Sequence, residues 1–321
     1  MPADTPLPHF DDVLDAAARI APHARTTPVL RAGALDAHAG CRLLFKAECL
    51  QRAGAFKFRG ACNAVFSLED DAATRGVVTH SSGNHGAALA LAARLRGIPC
   101  HVVVPEGAVR SKLALIAGQG AILHRCEATI AAREAMCAQV QRASGATLVH
   151  PYAHPRVIAG QGTAALELLG EAADLDVVVV PVGGGGLASG TAIALAGCAP
   201  NVELVLAEPA GAADALQSLE RGERVTDIVP DTICDGLRGT LGEPNFRILR
   251  DHGAQVLAID DDATVAAMRR LLEHLKLLVE PSSAIALAAV LAHPQRFAGR
   301  RVGIVLSGGN VDPDRLPWAG R

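Results

Sequence analysis

The sequence predicts an α/β protein built on two open twisted sheets of parallel strands, with helices on both faces of each and a cleft between two lobes. Three observations carry this. Short apolar runs such as Val77-Val78-Thr79, Cys100–Val104, Val177–Val180 and Arg301–Leu306 alternate with longer stretches of helix length, the pattern of strands buried on both faces and joined by crossover helices. Glycine-containing turns stand directly after three such runs, at Ser81–Gly86, Gly183–Gly186 and Ser307–Asn310. Hydrophobic residues make up 50% of the 321-residue chain, enough for one large core or two medium ones.

In order, Asp11–Ala21 reads as a helix with an acidic start, ended by Pro22. Arg42–Ala47 is a strand and Gly60–Phe66 is helical. From Gly76 the alternation is regular: strand Val77–Thr79, polar turn Ser81–Gly86, helix Ala87–Arg96, strand Cys100–Val104, a helix from Arg110, strand Ala121–His124, helix Thr129–Arg142 and strand Thr147–His150. Pro151–Gly162 reads as irregular, followed by helix Thr163–Leu169, strand Val177–Val180, helix Leu187–Ala196 and strand Glu203–Ala207. Helices Asp261–Leu277 and Pro281–His293 precede the last strand, Arg301–Leu306. The expected division is a large domain of residues 1–75 and 150–321 and a small mobile domain of residues 76–149.

Charge is nearly balanced, 30 Lys+Arg against 33 Asp+Glu, with no basic run or aromatic platform; a nucleic-acid partner is not indicated, and a small molecule is expected. The eight cysteines form no C-x-x-C pair and no His/Cys cluster, which reads as reduced, mostly buried thiols. Met1–Pro6 is polar and acidic, so a cytoplasmic protein is expected. Val177–Val202 carries no charged side chain, but Pro181 and four consecutive glycines interrupt it, so a membrane span gives way to strand, glycine loop and helix.

Gly54-Ala55-Phe56-Lys57-Phe58-Arg59-Gly60 sets a lysine between two phenylalanines. Among apolar groups the ammonium form is destabilised, which would make Lys57 a Schiff-base nucleophile; the alternative is that Lys57 and Arg59 flank an element with their heads in solvent. Gly183–Gly186 after a buried strand suits a phosphate, with converging N–H groups and the positive end of the following helix. A dinucleotide site also fits there, since Gly183, Gly185 and Ala188 match G-x-G-x-x-A and Glu208 ends the next strand. Ser81-Ser82-Gly83-Asn84-His85 is either an anion site, for instance for a carboxylate, or an ordinary helix cap. His85, His150 and His154 read as structural histidines, and Trp318 as packing.

These stretches, with Val157–Thr163 and Glu280-Pro281, resemble the pyridoxal-phosphate enzymes of the tryptophan-synthase-β fold, in particular the serine racemase and serine/threonine dehydratase family, over nearly the whole chain. The resemblance implies that Lys57 bonds pyridoxal 5′-phosphate covalently and that Phe56 packs near its ring. It implies that Gly183, Gly184, Gly185, Gly186 and the Leu187 N–H hold the phosphate, that Asn84 bonds the ring oxygen, that Gly236 lies close to the ring and that Ser307 faces the pyridine nitrogen. A hydroxyl there weakens the electron sink and suits elimination or racemisation. Lys57 is then the base at the α-carbon, with Ser82 a second base for racemisation, and Ser81, Ser82, Gly83, Asn84 and His85 hold the substrate carboxylate. A divalent cation (Mg, Ca or Mn) is expected at Glu208, Ala212 and Asp214, a set of hard oxygen ligands; otherwise that segment is a solvated acidic loop.

The function so implied is a dehydratase, or ammonia-lyase, converting a 3-hydroxy amino acid (serine, threonine, 3-hydroxyaspartate or phenylserine) to a 2-keto acid and ammonia, with serine racemase activity in addition or as the main activity. A homodimer is also implied. Arg133 falls where a family arginine approaches a second substrate carboxylate, or it is a surface helix arginine. Tyr152 stands where serine racemases commonly have asparagine, and Gly239-Thr240 where they have paired serines, which points away from plain serine. Of other classes, a nicotinamide oxidoreductase using the Gly183 loop leaves Lys57 unexplained, and retention of Lys57, Ser82 and Asn84 argues against a non-catalytic amino-acid sensor.

Overall fold

The computed structural model describes residues 6–108 and 110–318, so the polar N-terminal stretch up to Thr5 lies outside the described residues. The helices are α1 (Phe10–Ile20), α2 (Gly33–Ala39), α3 (Lys57–Phe66), α4 (Asp70–Arg75), α5 (Asn84–Arg96), α6 (Arg110–Ala117), α7 (Ile130–Ser144), α8 (Pro155–Glu171), α9 (Gly186–Cys198), α10 (Asp214–Arg221), α11 (Glu243–His252), α12 (Asp261–Leu275), α13 (Pro281–Ala292) and α14 (Pro294–Phe297). The strands are β1 (Val29–Leu30), β2 (Arg42–Lys46), β3 (Val77–His80), β4 (Cys100–Pro105), β5 (Ile122–Cys126), β6 (Thr147–Leu148), β7 (Val177–Pro181), β8 (Glu203–Pro209), β9 (Gln255–Ile259) and β10 (Arg301–Val305).

The strands form a six-stranded sheet, β1-β2-β10-β7-β8-β9, and a four-stranded sheet, β5-β4-β3-β6. All pairings are parallel except β1 with β2. Strand alternation sorts the large sheet's residues between two cores. Val177, Val179, Val205 and Ile304 pack with α2, α12 and α13, whereas Val178, Val180, Leu204 and Val305 pack with α8, α9 and α11. A third core joins α3 and α5 to β4 of the small sheet through Phe58, Cys62, Leu89 and Val102.

The expected irregular stretch Pro151–Gly162 is a finding against the pattern, because α8 begins at Pro155 and runs through it. Its glycines are contact points rather than breakers. A Cβ on Gly160 would stand 2.6 Å from the Cα of Gly60, and one on Gly162 would stand 2.7 Å from the carbonyl oxygen of Gly190. Small residues here let α3, α8 and α9 approach backbone to backbone, and this packing outweighs glycine's poor helix propensity. Val177–Val202 forms β7, the glycine turn and α9, and no helix among the described residues is long and apolar enough to cross a membrane. All eight cysteines are free thiols; only Cys198 is exposed and Cys49 is half-buried.

Candidate active site

Three neighbouring strands deliver the chemistry to one edge of the large sheet. β2 leads through two short turns to Phe56 and Lys57, β10 leads to Ser307, and β7 leads to Gly183. Ligands in open α/β sheets bind outside the carboxyl ends of strands for this reason. The Lys57 segment is tied to the exit of β10: the Phe56 N–H donates to the Ser307 carbonyl at 2.9 Å, and the Gly309 N–H donates to the Gly54 carbonyl at 2.9 Å. From the small sheet, β3 ends at His80 and leads through Ser81–Gly83 into α5. All these groups line one cavity of about 1080 Å³.

Lys57 is the first residue of α3. Its amine donates to the Pro151 carbonyl at 3.0 Å and stands 5.0 Å from the Phe56 ring centre. Burial lowers its pKa to about 8, with the Glu280 carboxylate acting in the opposite direction. Arg59, two residues on, does not reach solvent. It is fully buried, and its guanidinium donates to both oxygens of Glu48 and both of Glu167, each at 2.7 Å. That bidentate lock fixes the first turn of α3, and with it the backbone of Lys57.

The glycine turn opposite is a cradle built on missing side chains. A Cβ on Gly183 would meet the Leu237 Cα at 2.8 Å, and on Gly184 it would enter the Tyr152 ring. Gly185, the N-cap of α9, has φ +90°, a backbone that favours glycine. The first N–H groups of α9, including Leu187, have no intrahelical acceptor and meet the positive end of the helix dipole. A phosphate could be held here by Gly183–Leu187, which is the test the chain must pass to carry a phosphorylated cofactor.

Ser307 is buried, its hydroxyl donating to the Ser282 carbonyl at 3.5 Å, and the Gly236 N–H donates to the Ser282 hydroxyl at 3.0 Å. Asn84 is oriented from both ends of its amide. Its Nδ2 donates to the two Glu280 oxygens at 2.9 and 3.0 Å, and its Oδ1 accepts from Asn310 at 2.9 Å. Glu280 and Asn310 belong to stretches that carry the family resemblance in the sequence, but the sequence assigns neither side chain a role; the structure sets the Glu280 carboxylate on Asn84 and near Lys57, and Asn310 on Asn84.

Ser81, Ser82, Gly83, Asn84 and Arg133 line the same cavity, Arg133 from the first turn of α7. His85 is turned inward, its Nε2–H donating to the Val149 carbonyl at 3.2 Å and its buried Nδ1 without a partner. Glu208, Ala212 and Asp214 are buried but do not line the cavity. Glu208 accepts from the Ala215 and Leu216 N–H groups at 2.7 and 2.9 Å, and Asp214 accepts from the Leu241 N–H at 2.7 Å. Burial, with Asp214 adding, pushes Glu208 up to about 8; burial pushes Asp214 up to about 6. Among the described residues no cluster of three or more His, Cys, Asp or Glu side chains is placed to hold a metal, so any cation at this loop would draw on carbonyl and water oxygens as well.

A low-pKa lysine, a glycine phosphate cradle and a buried hydroxyl at the ends of three adjacent strands define a class of enzyme that bonds a phosphorylated carbonyl cofactor through lysine. The chain belongs to the pyridoxal-phosphate-dependent enzyme family, which it matches over residues 20–308. It is 45% identical over 312 residues to the β-hydroxyaspartate dehydratase of Paracoccus denitrificans, covering 97% of this chain and 99% of that protein. It is 47% identical over 305 residues to the serine racemase of Arabidopsis thaliana, covering 94% of this chain and 92% of the relative. The solved structure of maize serine racemase superposes with a TM-score of 0.94 at 45% identity, covering 96% of this chain and 95% of that one.

Proposed function

We propose that this enzyme is a pyridoxal-phosphate-dependent dehydratase, an ammonia-lyase converting a 3-hydroxy amino acid to a 2-keto acid and ammonia. The observation that carries it is the Lys57 amine, lowered to about 8 by burial, in one cavity with the glycine cradle and the Ser307 hydroxyl. Bound pyridoxal phosphate supplies a carbonyl carbon that bonds an amine and a ring that draws electrons from the α-carbon. Gly183–Leu187 would hold its phosphate, Asn84 its ring oxygen and Ser307 its ring nitrogen, and Phe56 and Gly236 would pack against the ring; all line the one cavity. Ser81–His85 bind the substrate carboxylate through N–H and hydroxyl donors, and the free Lys57 amine takes the α-proton. Loss of the β-hydroxyl as water gives an enamine, which takes up water and yields the keto acid and ammonia.

The substrates named for the relatives support serine, threonine and 3-hydroxyaspartate as candidates, phenylserine remains in the panel, and Arg133 is the charged partner for a second carboxylate. Keto-acid release from L-serine, L-threonine, both 3-hydroxyaspartate diastereomers and phenylserine tests the reading. Release abolished by Lys57→Ala is the expected result, and no release from any of them overturns it. Ser82 and Lys57 lining one cavity supports amino-acid racemisation as a second activity; chiral analysis of recovered serine, with Ser82→Ala as control, checks this.

The raised pKa values of Glu208 and Asp214 support a divalent cation held by their carboxylates and the Ala212 carbonyl, and a chelator that changes neither activity nor thermal stability overturns it. The resemblance supports a homodimer, with a small mobile lobe at residues 76–149, and the eight free thiols support a cytoplasmic protein; a monomer mass by light scattering overturns the dimer.

A further inference from the structure

One wall of the cavity is a row of three rings. His80, at the end of β3, meets His150 edge to face at 5.3 Å between centres, and His150 meets Tyr152 edge to face at 4.6 Å. His150 Nδ1 accepts from the Ala153 N–H at 3.1 Å and the Tyr152 N–H at 3.4 Å. An acceptor at Nδ1 places the ring proton on Nε2, so this imidazole can only donate. Burial, with His80 adding, pushes His150 down to about 3, which keeps it neutral.

Tyr152 is fixed from below. Its ring lies where a Cβ of Gly184 would stand, and its edge reaches 3.6 Å from the Cβ position of Gly239. Burial raises its phenol pKa, so the hydroxyl stays protonated. Among the described residues, neither His150 Nε2 nor the Tyr152 hydroxyl has a hydrogen-bond partner, although both rings line the cavity. The charge of Arg133 reaches both His80 and Tyr152.

We propose that His150 and Tyr152 form the specificity subsite for a second carboxylate on the substrate, the imidazole Nε2–H and the phenol O–H donating to it beside Arg133. An ionised carboxylate is an acceptor-only group. It matches an N–H that can only donate, and it satisfies two polar groups otherwise left open in a half-buried wall. A hydroxymethyl group, as in serine, is too short and too weak an acceptor to satisfy both. The substrate class this selects is a dicarboxylic 3-hydroxy amino acid. This rests on the dehydratase reading above.

The test compares kcat/KM for 3-hydroxyaspartate and L-serine in the holoenzyme and its Tyr152→Phe and His150→Phe variants, together with the binding of L-malate, a non-reacting dicarboxylate, by calorimetry. A hydrogen bond to a charged group corresponds to roughly a tenfold to hundredfold effect. Each variant is expected to lower the ratio of hydroxyaspartate to serine kcat/KM by about tenfold or more and to raise the malate Kd in step. Equal loss on both substrates marks a structural role and overturns the subsite, as does a preference for phenylserine that survives both variants. If the unaltered enzyme releases no keto acid, the dehydratase reading falls, and an unchanged malate Kd in both variants overturns the subsite independently.

Discussion

Two pairs of carboxylates withdrawn from solvent, one of them with a half-buried member, Glu167, have opposite electrostatics. Glu48 and Glu167 share the Arg59 guanidinium, and Lys46 adds an ion pair to Glu167 at 2.6 Å. Burial acts to raise Glu167, but Arg59 and Lys46 hold it below its ordinary range. Glu208 and Asp214 accept only backbone N–H groups, form no ion pair among the described residues, and are pushed up to about 8 and about 6. A buried acid pair with its own cation is architecture; one without is a place where protons, or an added cation, decide the charge.

The largest effect should come from removing the cation of the first pair. Arg59→Met leaves Glu48 buried without a cation and Glu167 with Lys46 alone, and should cost about 3–5 kcal/mol, read from urea unfolding; a loss below about 1 kcal/mol would erase the distinction. Glu208→Gln should act with opposite sign in the two states of the second pair. In chelator above pH 8 it removes a repulsion and raises Tm by a few degrees, roughly, whereas with magnesium or calcium present it lowers Tm.

The sign of the pH dependence follows from Glu208, whose folded pKa lies above its ordinary 4.5 at about 8. Its contribution is therefore complete below the unfolded value and lost as pH rises to the folded one. Metal-free protein should lose Tm across that window, and a divalent cation should flatten the curve. A flat curve without cation contradicts the assignment. The smallest effect concerns Lys57: covalent uptake of added pyridoxal phosphate by the cofactor-free protein should speed up as pH rises through about 8, because the neutral amine is the reacting form. A rate still climbing at pH 10 would show a lysine that burial has not altered.

Much of the arrangement is local and therefore legible in the chain. A run of valines ending in Pro181 and four glycines announces a buried strand and an anion cradle without knowledge of any distant residue. Lys57 between two phenylalanines is legible in the same way. The rest depends on contacts across the chain. Arg59 reads as solvent-facing until Glu48 and Glu167 surround it, and Gly160 reads as a breaker until Gly60 lies against it. His150 reads as structural because its neighbours in space, His80 and the cavity, are set by β3 rather than by its own segment.

The hydrogen bonds that tie residues 53–56 to the exit of β10 also order events during synthesis. Asn310 donates to the Ala53 carbonyl at 2.8 Å across 257 residues, and β10 lies between β2 and β7 in the sheet. A chain in which β10 has not yet joined the sheet therefore lacks the Ser307 carbonyl, the Gly309 N–H and the Asn310 amide that hold residues 53–56. Closure of so long a loop comes late and slowly in folding. Lys57 therefore acquires its final surroundings only after β10 has taken its place between β2 and β7.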